Sequence, residues 1–274
     1  MRMLMSGHSV SSILLAALWV AVTGPVFAQS HDSAHAPKTT TPPPLQFHYM
    51  GPPAGGRVAS VAGIPGDYST YYLGAASGGV WKSIDGGHTF KPIFDDQDTS
   101  AIGAIAVAPA DHDTVWVGTG EPWTIRPSDI VGDGVYKSTD AGATWKHMGL
   151  PKTGRIARII INPKDTNNVL VCAEGSGAAP QQERGVFRTT NGGRSWKQTL
   201  FVNDQTGCSG LSMDPGHPDT VLAGTWQFSV RTWAELSGGP GSGVYISHDN
   251  GRSWTHLTTA NGLPKPPLGK IDVS

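Results

Sequence analysis

One eight-residue pattern occurs four times and constrains this chain more than any other feature. The copies are Ser83-Ile-Asp85-Gly-Gly87-His-Thr89-Phe90, Ser138-Thr-Asp140-Ala-Gly142-Ala-Thr144-Trp145, Thr189-Thr-Asn191-Gly-Gly193-Arg-Ser195-Trp196 and Ser247-His-Asp249-Asn-Gly251-Arg-Ser253-Trp254. Their third positions recur at intervals of 55, 51 and 58 residues, a period that marks propeller blades or a stacked array. Read as a hairpin turn, each position has a backbone task. Asp or Asn at the third place accepts from the amides that follow it, and Gly at the fifth supplies a positive φ. The hydroxyls at places one and seven bond within the turn. The aromatic at place eight (Phe90, Trp145, Trp196, Trp254) anchors the outgoing strand. Asn191 keeps the acceptor without the charge, and a single recurring carboxylate falls short of a calcium loop's ligand set. The turns therefore read as structural, with no metal and no cofactor.

The flanking sequence repeats in phase. Gly79-Val-Trp-Lys-Ser83, Gly134-Val-Tyr-Lys-Ser138, Gly185-Val-Phe-Arg-Thr189 and Gly243-Val-Tyr-Ile-Ser247 precede the turns as short alternating strands. Upstream of each lie two more apolar runs, separated in the last three units by Pro/Asp/Gly turn compositions such as Pro109-Ala-Asp-His-Asp113. With one strand after each turn, four strands (A to D) make a unit. The fold class is all-β, a propeller of four-stranded antiparallel blades, since a flat array would leave too many open edges.

The signature Ser/Thr-x-Asp-x-Gly-x-Thr/Ser-Trp/Phe resembles the Asp-box of secreted bacterial BNR-repeat proteins. These are related to the sortilin/Vps10 propeller and, more distantly, to family 74 xyloglucanases and sialidases. The resemblance spans about residues 47 to 274 and implies a propeller, while one fold hosts many activities. Gly269-Lys-Ile-Asp-Val-Ser274 matches Gly103-Ala-Ile-Ala-Val-Ala108, so the reading is four blades plus the first strand of a fifth, a piece of a larger propeller.

Arg2, the apolar stretch Ile13 to Val22 and Val26-Phe27-Ala28 read as a signal peptide over residues 1–28. The stretch is too short to span a bilayer, and the mature protein has no expected membrane span. Residues 29–45, with Thr39-Thr-Thr-Pro-Pro-Pro44, read as a disordered linker, and 46–274 as the blades. A net charge of −1 gives no footprint for nucleic acid. Cys172 and Cys208 are the only thiols. Export permits a disulfide between them, but the reading favours two buried free thiols. Neither the cysteines nor the ten His residues show metal-site spacing.

In such a blade the repeated turns share one rim with the A–B turns, and the B–C connections occupy the other. Those connections are long: Gly120 to Asp133, Glu174 to Arg184, and Trp226 to Gly241. Long loops on a rigid scaffold carry binding function. They hold the binding candidates Glu121, Trp123, Arg126, Asp129, Glu183, Trp226, Arg231 and Trp233, together with Glu174, Arg184 and Glu235. Aromatic rings stack on sugar faces while acids accept hydroxyl hydrogen bonds; the plainer alternative is that the acids solvate the loops and the tryptophans pack them. A glycosidase needs two placed carboxylates, and Glu121 with Glu174 is the nearest approach to a pair. The resemblance to family 74 gives no support for hydrolysis. Its Asp-Val-Gly-Gly-aromatic motif aligns with Ala76-Ser77-Gly78-Gly79-Val80-Trp81, so Ala76 stands at the acid position. A sialidase Arg-Ile-Pro motif has no counterpart, Arg57-Val-Ala being the nearest place. The reading is an exported propeller binding a glycan, peptide or protein through its B–C loops. The alternative is a glycoside hydrolase with part of its site in further blades.

Overall fold

The structure, a computed structural model, describes residues 57–123 and 130–274; the expected signal peptide and linker lie outside these. Every blade follows the expected A–B–C–D order as an antiparallel meander. Blade 1 is β1 (Val58–Ile64), β2 (Asp67–Ala75), β3 (Val80–Ser83) and β4 (Lys91–Pro92). Blade 2 is β5 (Ile102–Ala108), β6 (Asp111–Thr119), β7 (Val135–Ser138) and β8 (Lys146–His147). Blade 3 is β9 (Ile156–Asn162), β10 (Asp165–Ala173), β11 (Gly185–Thr189) and β12 (Lys197–Leu200). Blade 4 is β13 (Thr206–Met213), β14 (Val221–Arg231), β16 (Gly243–Ser247) and β17 (Thr255–Leu257), with β15 (Ala234–Ser237) paired to the extended end of β14. That extension corrects one expectation: Trp226 to Arg231 are strand residues, and the third B–C connection is a hairpin because Phe228 to Arg231 pair with Ala234 to Ser237.

The repeated turn works over a longer reach than the sequence suggests. In blade 1, Asp85 Oδ1 accepts from Thr89 N (2.9 Å) and Asp85 Oδ2 from Thr89 Oγ1 (2.6 Å), four residues on, while Ser83 Oγ accepts from Gly87 N (2.9 Å). Asp140 and Asp249 make the corresponding bonds to Thr144 and Ser253; Asn191 Oδ1 accepts from Ser195 N, but its Nδ2 donates to Ser195 Oγ. The fourth place is left-handed as well as the fifth, even where it is Ala141 (φ 54°) or Asn250 (φ 57°). Its N–H donates within or just ahead of the first residues of strand B: Gly86 to Ser69 O, Ala141 to Asp113 O, Gly192 to Asn167 O and Asn250 to Asp219 O. The C–D turn is thereby tied to its own blade's A–B end.

The turn also joins neighbouring blades. Trp145 Nε1 donates to Ile93 O (2.6 Å) and Trp196 Nε1 to Met148 O (2.8 Å), each in the preceding blade's strand D region; Trp254 Nε1 reaches Thr199 Oγ1 (3.3 Å). The fifth-place glycine is required by this approach: a β-carbon on Gly142 would lie 2.6 Å from Ile93 Cδ1, and one on Gly193 2.6 Å from Trp116. Three buried apolar clusters fill the joints, built from Tyr72, Ile102, Ile105 and Val117 between blades 1 and 2, and from Trp116, Ile156, Ile159 and Val171 between blades 2 and 3. Leu170, Cys172, Cys208 and Leu211 belong to the third.

At the inner end of each joint one motif recurs. Gly74, Gly118 and Gly224 stand at one register place of strand B, paired with Val80, Val135 and Val244. An isoleucine of the following segment fills the space of the missing side chain: Ile102 Cγ2 lies 2.5 Å from where a Gly74 β-carbon would be, Ile156 Cγ2 2.4 Å at Gly118, and Ile271 Cγ2 2.9 Å at Gly224. At the joint between blades 3 and 4 the same two places hold Cys172 and Cys208, joined as a disulfide with Cα atoms 5.0 Å apart. This overturns the expectation of free thiols: the two residues occupy facing places of a joint, not merely neighbouring strands. The contacts also move the C-terminal register. Ile271 takes the place of Ile102, three residues earlier than its alignment with Ile105, and residues 269–274 lie against blade 4 without forming a ladder of their own.

Candidate functional site

Strand A carries the residues nearest the mouth because each copy is bulged. The pairing register slips between Val58 and Ser60, between Ile102 and Ala104, between the Ile156 and Arg158 partners, and between Cys208 and Gly210. The extra residue is Ala59, Gly103, Ala157 or Ser209. A bulge re-aims the side chain it inserts, and three of these four residues line a cavity of about 420 Å³ with Pro122, Trp123, Arg158, Lys270 and Asp272. Ser209 Oγ donates to Ile271 O (2.6 Å), which draws the last residues of the chain onto the wall.

Charge at this mouth is matched. Lys270 Nζ donates to Pro122 O (2.8 Å) and to Glu174 Oε2 (3.3 Å) and stands 4.6 Å from the Trp226 ring centroid, so one side chain links blades 2, 3 and 4. Arg158 Nη2 lies 3.6 Å from Asp272 Oδ2. Glu121 is buried and held by the Arg57 guanidinium, with Arg57 Nε 2.7 Å from Glu121 Oε1. Among these groups Trp123 presents a broad ring to solvent, at 55% exposure.

The sequence-predicted residues divide sharply. Trp123 lines the cavity; Glu121 and Glu174 are enclosed beside it as ion-pair partners. Trp226 is buried, stacked on Phe228 with centroids 4.3 Å apart. Arg231 and Trp233 are exposed at the hairpin's far end and Glu183 is half-buried; none lines this cavity. Arg126 and Asp129 lie outside the described residues. Arg184 is buried over the Phe228 ring at 5.2 Å, donates through Nη2 to Ser176 O and Ala179 O, and has its pKa lowered to about 10 by burial. Arg158, Ser209, Lys270 and Asp272 were missed by a search confined to the B–C loops. Their available signal is the in-phase position beside the bulge.

The family described as Sortilin, neurotensin receptor 3 (Sortilin-Vps10) matches twice, over residues 78–197 and 133–262, together more than half the chain. The chain belongs to the Sortilin-Vps10 family. This Sortilin-Vps10 chain is also similar to the xyloglucanase of Hypocrea jecorina (strain QM6a), 26% identical over 87% of the chain and 30% of the relative. A xyloglucanase of Paenibacillus sp is 24% identical over 73% and 20%. The chain thus spans less than a third of the length of these relatives. Among solved structures, an ancestral GH74 enzyme superposes with a TM-score of 0.57 at 18% identity, covering 74% of this chain and 26% of the other. The Niastella koreensis GH74 enzyme gives 0.53 at 20%, covering 72% and 28%. Both likenesses bear on the fold: the four sheets are blades of a propeller.

Proposed function

We propose that this chain is an exported Asp-box propeller that binds an uncharged glycan at the mouth formed by Trp123, Arg158, Ser209, Lys270 and Asp272. One observation carries the reading. The two acids best placed for hydrolysis are enclosed and held by cations, Glu121 by Arg57 and Glu174 by Lys270, while the exposed ring of Trp123 borders an open cavity. Both carboxylates are already engaged as ion-pair acceptors, which favours a structural role for each over membership of a glycosidase pair. With Lys270 and Arg158 already facing Glu174 and Asp272, the wall offers matched charges, hydroxyl partners and an aromatic face, which suits a neutral polyol. The xyloglucanase relatives support a glycan over a peptide. No described helix is long and apolar enough to cross a membrane, and export rests on the leader-like residues 1–28.

Titration calorimetry with xyloglucan oligosaccharides tests this, with reducing-sugar release followed in parallel. The expected result is saturable binding, lost in Trp123→Ala, without release of new chain ends. Turnover that disappears in Glu121→Gln or Glu174→Gln would replace binding with hydrolysis; no binding to any neutral glycan would overturn both.

A further inference from the structure

The rim of repeated turns, opposite the mouth, carries paired cations that the blade itself does not require. Where strands C and D meet nearest the turn, Lys82 stands directly opposite Lys91, Lys137 opposite Lys146 and Arg188 opposite Lys197. Like charges set face to face across a ladder oppose folding. None of the six belongs to an ion pair among the described residues. In blade 4 the same two places hold Ile246 and Thr255, so the strand pairing is made equally well without charge. Two of the strand C cations have a structural use: Lys82 Nζ donates to Ala141 O (2.8 Å) and Arg188 Nε to Asn250 O (2.9 Å), each in the next blade's turn. Lys137 makes no such bond to a described residue. It is half-buried, 5.4 Å from the Trp116 ring centroid, and burial pushes its pKa down. Lys91, Lys146 and Lys197, on strand D, are exposed, and none of their ammonium groups bonds a described residue.

Lys137 and Lys146 wall a groove of about 380 Å³ together with Thr139, Thr144 and Gly192, where blade 2 meets the turn of blade 3. At the next joint Arg252 adds a cation to the pair: after burial, it is what most lowers the pKa of Arg188. Asp111 acts in the opposite sense on Lys137, and Asp249 and Asp165 on Arg188. The turn acids Asp85, Asp140 and Asp249 are themselves held by Thr89, Thr144 and Ser253. A net charge of −1 thus conceals a local excess of cations on one rim. We infer that this rim binds a linear acidic polysaccharide, bearing carboxylate or sulfate groups, laid across successive joints. A compact anion is met by one pocket, whereas these pairs recur once per joint and match a chain with charge repeated along it. Lysine ammoniums are flexible point charges, suited to a polymer that follows a curved rim. Single-stranded nucleic acid is held by stacking on aromatic faces, but Trp145 and Trp196 beside the pairs are half-buried and bonded into the preceding joint. A sugar chain enters a groove of this size, and the flat surface of a bilayer does not. This rim is separate from the neutral-glycan mouth and does not depend on that reading.

Titration of the full chain with heparin, polygalacturonate and neutral dextran, at stepped sodium chloride concentrations, provides the test. The expected result is binding to at least one acidic polymer and none to dextran, with log K falling linearly as log salt rises. Lys91→Gln, Lys146→Gln and Lys197→Gln together should weaken that binding about tenfold or more at low salt and flatten the salt slope by about 2, at ~0.7 per ammonium lost. The circular dichroism spectrum should not change, because these side chains bond nothing in the blade. Lys152→Glu with Lys265→Gln removes the same charge from exposed places away from the pairs and should leave the affinity near that of the wild type. No binding to either acidic polymer overturns the proposal. So does an equal loss in the two variants, which would reduce the effect to net charge. Phosphatidylglycerol vesicles or duplex DNA held more tightly than both polysaccharides, through the same three lysines, would overturn it in favour of that partner.

Discussion

Reducing or deleting the Cys172–Cys208 bridge tests whether the disulfide and the glycine–isoleucine contact are interchangeable solutions to one packing problem. The bridge closes a loop of 36 residues, and the loss of loop-closure entropy in the unfolded chain makes it worth about 4 kcal/mol. Cys172→Ala with Cys208→Ala should lower the unfolding free energy by about that amount, read from urea melts of oxidised wild type and variant. Cys172→Gly with Cys208→Ile rebuilds the arrangement of Gly118 and Ile156. Burying an isoleucine side chain is worth about 1.5–3 kcal/mol, against about 0.5–1 kcal/mol for a glycine within a strand. The Gly/Ile variant should therefore recover about 1–2 kcal/mol over the Ala/Ala variant. If Gly/Ile is no more stable than Ala/Ala, the equivalence of the two places is wrong. If Ala/Ala matches the oxidised wild type, the bridge does not restrain the joint.

Trp145→Phe and Trp196→Phe keep the ring but remove the N–H that meets Ile93 O and Met148 O; each should cost about 1–3 kcal/mol in urea unfolding, the penalty for an acceptor left without its donor. Gly142→Ala places a methyl 2.6 Å from Ile93 Cδ1 at a φ of 91°, so its loss should exceed the ~1 kcal/mol typical of point substitutions, again measured by urea melts. The side chains of Thr89 and Thr144 lead the hydrogen bonds that lower Asp85 and Asp140 to about 2, from 3.8. These depressed values give a contribution fully present above the unfolded-state pKa and lost as pH falls through the folded one. Melting temperature should therefore decline between about pH 4 and pH 2. Asp140→Asn, which copies Asn191, should shed part of that slope.

The blade order and the turn were legible because Ser83, Asp85, Gly87 and Phe90 repeat in three more places with their flanking strands in phase. What lay between blades was not. The tryptophan ring could be read as an anchor, but nothing local indicates that its N–H crosses to the preceding blade. Ala141 hides a left-handed fourth place, whereas Gly86, Gly192 and Asn250 are residue types that adopt it readily. Ile102, Ile156 and Cys208 lie N-terminal to the bulge, where the in-phase apolar pattern of strand A is interrupted by the inserted residue. With those positions in register, Cys208 stands opposite Cys172 as Ile102 stands opposite Gly74. Arg158, Ser209 and Asp272 lie on or beside strand A and its C-terminal counterpart, outside the B–C loops from which the binding candidates were drawn. Glu121 and Glu174 were found as acids, but their capture by Arg57 and Lys270, 64 and 96 residues away, is a consequence of folding.

The inserted residue of each strand A has an evolutionary implication. Because Ala59, Gly103, Ala157 and Ser209 are supernumerary to the ladder, the groups they bear can change without rewriting strand pairing; the constrained positions are Gly103, which has no room beside Ile156 O, Ala157, which is packed in a joint core, and Ser209, which is bonded to Ile271 O. Selectivity at the orifice can thus drift most freely at Ala59, whose side chain is only half-buried, while the other three inserted residues are also bound to the scaffold's own packing.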